Sequence, residues 1–172
     1  FKLSDKEFDI NASCRYGELS YESDNESVVS VDSSGHAVIN GAGRAKIKVT
    51  APAIYNYAKT VKTFNITVRP DTVKISSLTG TAKTATVSWE HDAEAAGYQI
   101  RYSLKSNMKN SKVCSVRKSL TKKKLRGLKS NTKYYVQVRS YVKTDDGSKI
   151  YSSWSDKKNI KTKKVKTEKK KS

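Results

Sequence analysis

The stretch Asn131-Thr-Lys-Tyr-Tyr-Val-Gln-Val-Arg-Ser-Tyr141 decides the fold class. In an extended chain Tyr134, Val136 and Val138 fall on one face, and Tyr135, Gln137 and Arg139 on the other. That period of two, carried by β-branched and aromatic residues, is the mark of a half-buried strand. Working outward, Thr84-Ala-Thr-Val-Ser-Trp89 puts Val87 and Trp89 on a shared face. Gly97-Tyr-Gln-Ile-Arg-Tyr-Ser103 does the same for Tyr98, Ile100 and Tyr102. Further runs follow at the spacing of short antiparallel strands. They are Glu7–Ala12, Glu18–Tyr21, Val28–Val31, Ala37–Ile39, Ala45–Thr50, Val61–Val68, Thr72–Ser76, Lys112–Arg117, Lys123–Leu125, Lys133–Val142 and Asn159–Thr162. Turn residues separate them: Ser33-Ser34-Gly35, Gly41-Ala42-Gly43 and Asp145-Asp146-Gly147. No helical stripe of useful length is present, and Asp92–Ala96 makes at most one turn. The reading is all-β, as two tandem sandwiches.

The boundary falls at Arg69-Pro70-Asp71, because proline removes a ladder donor and holds its predecessor extended. This predicts a sandwich over 1–69, a second over 70–163, and a lysine-rich, disordered tail over 164–172. At 172 residues the chain has room for two small cores. The formal charge is +19 and lies almost wholly in the second half: through Arg69, nine basic residues meet eight acidic ones, and from Asp71 onward twenty-six meet eight. Such asymmetry points to an anionic neighbour. Cys14 and Cys114 fall in different predicted domains with no metal or redox spacing, and are expected to be unpaired, small, buried strand residues. The sequence shows no signal peptide, membrane span or lipidation motif. It opens mid-pattern at Phe1 and is expected to be an excised piece whose export signal lies elsewhere.

With Trp89, Tyr98, Leu128 and Tyr134 as spaced anchors, the second half resembles a fibronectin type III domain. The resemblance gives these residues the roles of second-strand tryptophan, third-strand tyrosine, corner leucine and tyrosine-corner residue. Tyr151-Ser-Ser-Trp-Ser155 is similar to the Trp-Ser motifs that precede the last strand of such domains. It predicts Trp154 stacked on Arg139 or Arg101. In the first half, Tyr21 through Val38 with Gly41-Ala-Gly-Arg-Ala-Lys-Ile-Lys-Val-Thr50 resembles the bacterial Ig-like group 2 family. There Val29, Val31, Ile47 and Val49 supply the core, Gly35 a turn of positive φ, and Gly41 and Gly43 a tight corner. The tandem is similar to the C-terminal modules of clostridial-type Gram-positive surface proteins. That resemblance implies an extracellular, secreted or surface-attached location and, for some relatives, adhesion.

Sites for chemistry are sparse. His36 lies in a turn and His91 follows a strand end, without a partner motif for nucleophilic catalysis, so no enzyme and no cofactor are expected. Asp24, Glu26 and Asp32 lack the fixed spacing of a calcium loop and read as solvated turns. The basic residues are the sharper feature: Lys122, Lys123, Lys124 and Arg126, with Leu125 turned inward, and Lys163, Lys164 and Lys166 in the tail. They are the candidate contact for an anionic cell-wall polymer, an acidic glycan or a host surface protein. Nucleic acid is not expected, because bases need exposed aromatics beside the charges. The function read from the sequence is a monomeric, non-catalytic spacer and presenting module. Two alternatives stand beside it. One is an adhesin module binding carbohydrate or protein through Tyr55, Tyr57 and Tyr151. The other is an accessory region of a secreted enzyme.

Overall fold

The computed structural model describes residues 1–165. Of the predicted tail, Lys164 and Val165 are described, and Lys166 and the residues after it lie outside the described residues. The chain forms two compact units, Phe1–Asp71 with Val142–Ile150, and Thr72–Tyr141 with the chain from Tyr151 on.

In the first unit six strands follow a short 3-10 turn at Leu3–Asp5. They are β1 (Glu7–Asp9), β2 (Ser20–Ser23), β3 (Val29–Val31), β4 (His36–Ile39), β5 (Gly43–Ala51) and β6 (Thr60–Val68). Two antiparallel sheets, ordered β1-β4-β3 and β2-β5-β6, close on a core of Val29, Ala37, Ile39, Ala45, Ile47, Val49 and Val68. The alternation of β5 explains the layer: Ala45, Ile47 and Val49 are buried, while Arg44 and Lys46 are exposed. Gly35 has φ +88°, and a β-carbon there would stand 2.9 Å from the Tyr21 ring. Gly41 and Gly43 are required by close approach, since their β-carbons would meet the Ser27 carbonyl at 2.7 Å and Val28 at 2.5 Å.

The remaining strands are β7 (Ile75–Gly80), β8 (Ala85–Trp89), β9 (Gly97–Ser103), β10 (Lys112–Arg117), β11 (Lys122–Leu125), β12 (Lys133–Lys143), β13 (Lys149–Tyr151) and β14 (Lys158–Lys161). One sheet runs β11-β8-β7. The other runs β10-β9-β12-β13, with β14 also paired to β12. Val87, Trp89, Tyr98, Ile100, Leu125, Leu128, Tyr134, Val136 and Val138 are buried together between them. Trp89 meets Tyr98 edge-on at 5.4 Å between ring centroids, the geometry that aromatic quadrupoles favour. The Tyr98 hydroxyl accepts from Asp92 N at 2.9 Å and donates to Asp92 O at 3.3 Å, tying the turn after β8 to the core. The Tyr134 hydroxyl accepts from Lys129 N at 2.9 Å, pinning the loop that carries Leu128.

Several boundaries differ from those read in the sequence. The strand expected at Thr72–Ser76 is instead Ile75–Gly80: Thr72–Lys74 lies outside the ladder, with Lys74 O accepting from Glu90 N at 3.0 Å, and a register shift lies between Ile75 and Ser77. β13 went unread, since three residues with one buried apolar side chain, Ile150, carry too little period. Both cysteines are free and half-buried. Cys14 does not sit in a strand as expected but just ahead of a bend at 15–17, and its thiol donates to Gly17 O at 3.1 Å. Burial raises the Cys114 thiol pKa, with nearby Lys123 pulling it down.

Two outcomes follow. Tyr134→Phe leaves the half-buried Lys129 N–H without its acceptor and should cost about 1–2 kcal/mol. It is read as a lower urea midpoint at unchanged slope, and an unmoved midpoint contradicts the assignment. In the first unit His36 Nδ1 lies 2.8 Å from Asp9 Oδ1 and Nε2 lies 3.7 Å from Glu7 Oε2. The hydrogen bond to Asp9, with the charges of Asp9, Glu7 and Asp32, raises the imidazole pKa. A raised folded pKa gives stability that is complete below the ordinary value near about 6.5 and is lost as pH rises through the folded one. Thermal melts of the first unit should therefore fall between about pH 6 and 8 more in the native chain than in His36→Gln. Equal pH slopes contradict this.

Candidate functional site

The charge of the second unit is unneutralised. From Thr72 to Tyr141 and from Tyr151 to Val165, twenty lysines and arginines face four carboxylates, Glu90, Asp92, Glu94 and Asp156. Among the described residues none of those four takes part in an ion pair; the pairs present join His36, Arg44 and Lys48 to Glu7, Asp9, Asp146 and Glu22. Strand direction sets three of the acids and one group of lysines at opposite ends. Glu90, Asp92 and Glu94 follow the end of β8, while at the sandwich's other end backbone bonds draw basic segments together. Leu128 N donates to Lys83 O at 3.0 Å, Asn131 N to Lys163 O at 3.1 Å and Lys163 N to Thr81 O at 3.1 Å. Lys133 pairs with Lys161 across the β12–β14 ladder. Lys83, Lys129, Lys133, Lys161, Lys163 and Lys164 therefore share one pole.

The basic residues read from the sequence are divided by the strand period. Lys122 and Lys124 are exposed on β11, opposite Ser88 and Thr86, and Arg126 is exposed just beyond. Lys123 does not join them. Alternation turns it to the face of buried Leu125, where it is half-covered and close enough to Cys114 to influence the thiol. Lys163 and Lys164 belong to the basic pole, and Lys166 lies outside the described residues.

A second cationic feature covers the outer face of β9 and β12. The Arg101 and Arg139 guanidinium carbons each lie 4.3 Å from the Trp154 ring centroid, and Arg139 also lies 3.8 Å from that of Tyr151. The stack runs Tyr151, Arg139, Trp154, Arg101. Arg101 pairs across the ladder with Gln137, and Arg139 with Gln99. Arg101 Nε and Nη2 donate to Gln137 Oε1 at 3.0 and 2.6 Å, and Arg139 Nε and Nη2 to Gln99 Oε1 at 3.1 and 2.7 Å. Gln137 is held in turn by donating to Ser155 O at 2.6 Å, and Gln99 by donating to the Tyr151 hydroxyl at 3.4 Å. Burial lowers the pKa of both arginines. Lys133 and Lys157 extend the row, at 5.3 and 5.7 Å from the Tyr135 centroid. Sequence reading placed Tyr135, Gln137 and Arg139 on one face but missed Gln99 and gave Tyr151 a free-aromatic role; the signal was the matching Gln-x-Arg in both strands.

In the first unit Tyr55 and Tyr57 join Tyr16, whose ring centroid is 6.3 and 5.0 Å from theirs. All three are exposed. Asp24 and Asp32 spend their carboxylates on backbone donors, Asp24 Oδ1 on Lys46 N at 2.6 Å and Asp32 Oδ1 on Ser34 N and His36 N at 2.8 and 3.0 Å. His91 is exposed after β8. Among the described residues no helix is long and apolar enough to cross a membrane.

Comparison with known proteins agrees with this architecture. The family model of the intimin immunoglobulin-like domain matches residues 5–53. That of the fibronectin type III domain matches residues 68–157. No curated protein matches. Among solved structures, the chain is similar to the FN1–FN3 domains of chicken CNTN1 at 22% identity and TM-score 0.49, over 72% of this chain and 44% of that one. It thus spans less than half of that relative. A structure described as a myokine is similar at 22% identity and TM-score 0.46, over 55% of this chain and 99% of that one. The sixth fibronectin type III domain from human fibronectin type III domain containing protein 3 is similar at 19% identity and TM-score 0.46, over 59% of this chain and 93% of that one. With its type III match spanning more than half of its length and an Ig-like match ahead of it, the chain belongs to the fibronectin type III domain family.

Proposed function

We propose that this chain is a non-catalytic extracellular spacer and presenting module of a bacterial surface or secreted protein, and that its type III unit contacts anionic polymers of the cell wall or host. One observation carries the electrostatic part: twenty cationic side chains without an ion-pair partner among the described residues of the second unit. Uncompensated charge of one sign destabilises a compact domain and attracts counter-ions and polyanions. The Ig-like and type III pairing supports the modular, extracellular part. The finer assignment is a bacterial Ig-like group 2 module, on the Tyr21–Val38 and Gly41–Thr50 wording, in a clostridial-type Gram-positive protein, on the order of the modules and the Tyr134–Tyr141 and Tyr151–Ser155 wording.

A second reading has its own observation. Tyr16, Tyr55 and Tyr57 form an exposed aromatic cluster with Arg15 5.6 Å from the Tyr16 centroid, a surface suited to an adhesin that stacks sugar rings. A glycan array separates the two. Binding that depends on Tyr55 and survives high salt favours the adhesin.

For the polyanion reading, the chain should be retained on heparin or purified teichoic acid at low salt and released as salt rises, with a log–log slope set by the number of contacts. Replacing Lys122, Lys124 and Arg126 by Gln should lower that slope by about 2–3. Absence of retention at low salt, or retention indifferent to salt, contradicts the reading.

A further inference from the structure

Resting on that reading and going beyond it, we propose that the Arg101–Trp154–Arg139 stack is an oxyanion site, taking the charged groups of an acidic polymer. Two guanidinium groups lie on opposite faces of one indole, both half-buried. Neither has a carboxylate within ion-pair distance among the described residues. Glutamine amide oxygens fill their hydrogen bonds without neutralising their charge. The site is therefore preorganised and positive at once. Cross-strand register fixes each pair, and Ser155 O and the Tyr151 hydroxyl fix the glutamines in turn.

The donors left over define the ligand. On each arginine the Nε and Nη2 edge is consumed by a glutamine oxygen. Each Nη1 has no protein partner and is not among the buried unsatisfied atoms, so it reaches solvent. The glutamine oxygen takes only one hydrogen of Nη2, so Nη1 and the second Nη2 hydrogen leave an end-on fork on each arginine, the arrangement that receives an oxyanion through two parallel N–H bonds. With each guanidinium carbon 4.3 Å from the Trp154 centroid on opposite faces, the two forks take separate anions, as successive charged groups of one polymer supply. Guanidinium groups also cover both faces of Trp154 and one face of Tyr151, so the rings offer no platform for stacking a nucleobase. Lys133 and Lys157 beside Tyr135 continue the cationic row, which fits a chain of repeated anions.

Trp154 reports on its own site, because the other tryptophan, Trp89, is buried in the core. The whole chain is titrated with dextran sulfate, with polyphosphate and with polyglutamate, following tryptophan fluorescence. A saturable change is expected with at least one of the three, the responding polymer naming the source of the oxyanion. It should persist in Trp89→Phe and vanish in Trp154→Phe. Arg101→Lys with Arg139→Lys keeps the charge but should weaken apparent affinity about fivefold to tenfold. Gln99→Glu supplies a carboxylate to Arg139 without changing side-chain shape, and its second oxygen can accept from the Tyr151 hydroxyl, so it should keep the fold and weaken the response; this variant decides the matter if the lysine variant fails to fold. Lys122→Gln, Lys124→Gln and Arg126→Gln, on the other sheet, should weaken heparin retention yet leave the Trp154 response. A response unchanged in the Glu variant, or one lost in the β11 variant, overturns the ladder site. Retention with a silent Trp154 overturns the site alone, and no retention on any polymer overturns the broader reading with it.

Discussion

The second unit depends on the two-residue period of β12. One strand is asked to do two things with alternate side chains. Tyr134, Val136 and Val138 are buried against the opposite sheet, while Tyr135, Gln137 and Arg139 build the outer face. The period cannot be relaxed on one side alone, since a one-residue slip would drive Gln137 and Arg139 into the core. The inward face meets Trp89 and Tyr98, so the hydrophobic layer fixes the register that makes Arg101 oppose Gln137 and Gln99 oppose Arg139. Core packing therefore positions the surface ladder, and the ladder contributes nothing that would choose another register.

Electrostatically, the two units solve different problems. In the first, acids and bases nearly balance, and several carboxylates are committed: Glu22 to Lys48 at 2.6 Å, Asp9 to His36, and Asp24 and Asp32 to backbone donors. In the second, the cations gather on the outer face of β11, at the pole around Lys129 and Lys163, and in the ladder. Repulsion among exposed lysines is screened within about a Debye length of roughly 10 Å at moderate salt, so the core tolerates it. The ladder arginines are less screened because they are half-buried, and aromatic faces with glutamine oxygens stand where carboxylates would give a neutral pair. That choice keeps the site charged while holding its geometry.

Much of this was legible in the sequence because alternation is a local property. The core anchors Trp89, Tyr98, Leu128 and Tyr134, the division of β12 into two faces, and the contact of Trp154 with arginine all follow from residue order. What was hidden depends on pairing between distant segments. The offset of β7 comes from a register shift that no single strand records. β13 is too short to show a period. Lys123 belonged by alternation to the inner face, and reading charge along the chain obscured that. Tyr16 joins Tyr55 and Tyr57 only through the folding of the first sandwich. Gln99 gains its role from Arg139, forty positions away.

The central claim is that the type III unit holds an uncompensated cationic surface whose ordered part is the arginine ladder. Chemical-shift mapping of the isotope-labelled whole chain, titrated with a sulfated oligosaccharide at low salt, tests it most directly. The account predicts that the largest shifts fall on Gln99, Arg101, Gln137, Arg139 and the Trp154 indole, with smaller ones at the basic pole and few in the first unit. Shifts centred on the first unit, or spread evenly over every exposed lysine with the ladder unmoved, would contradict it.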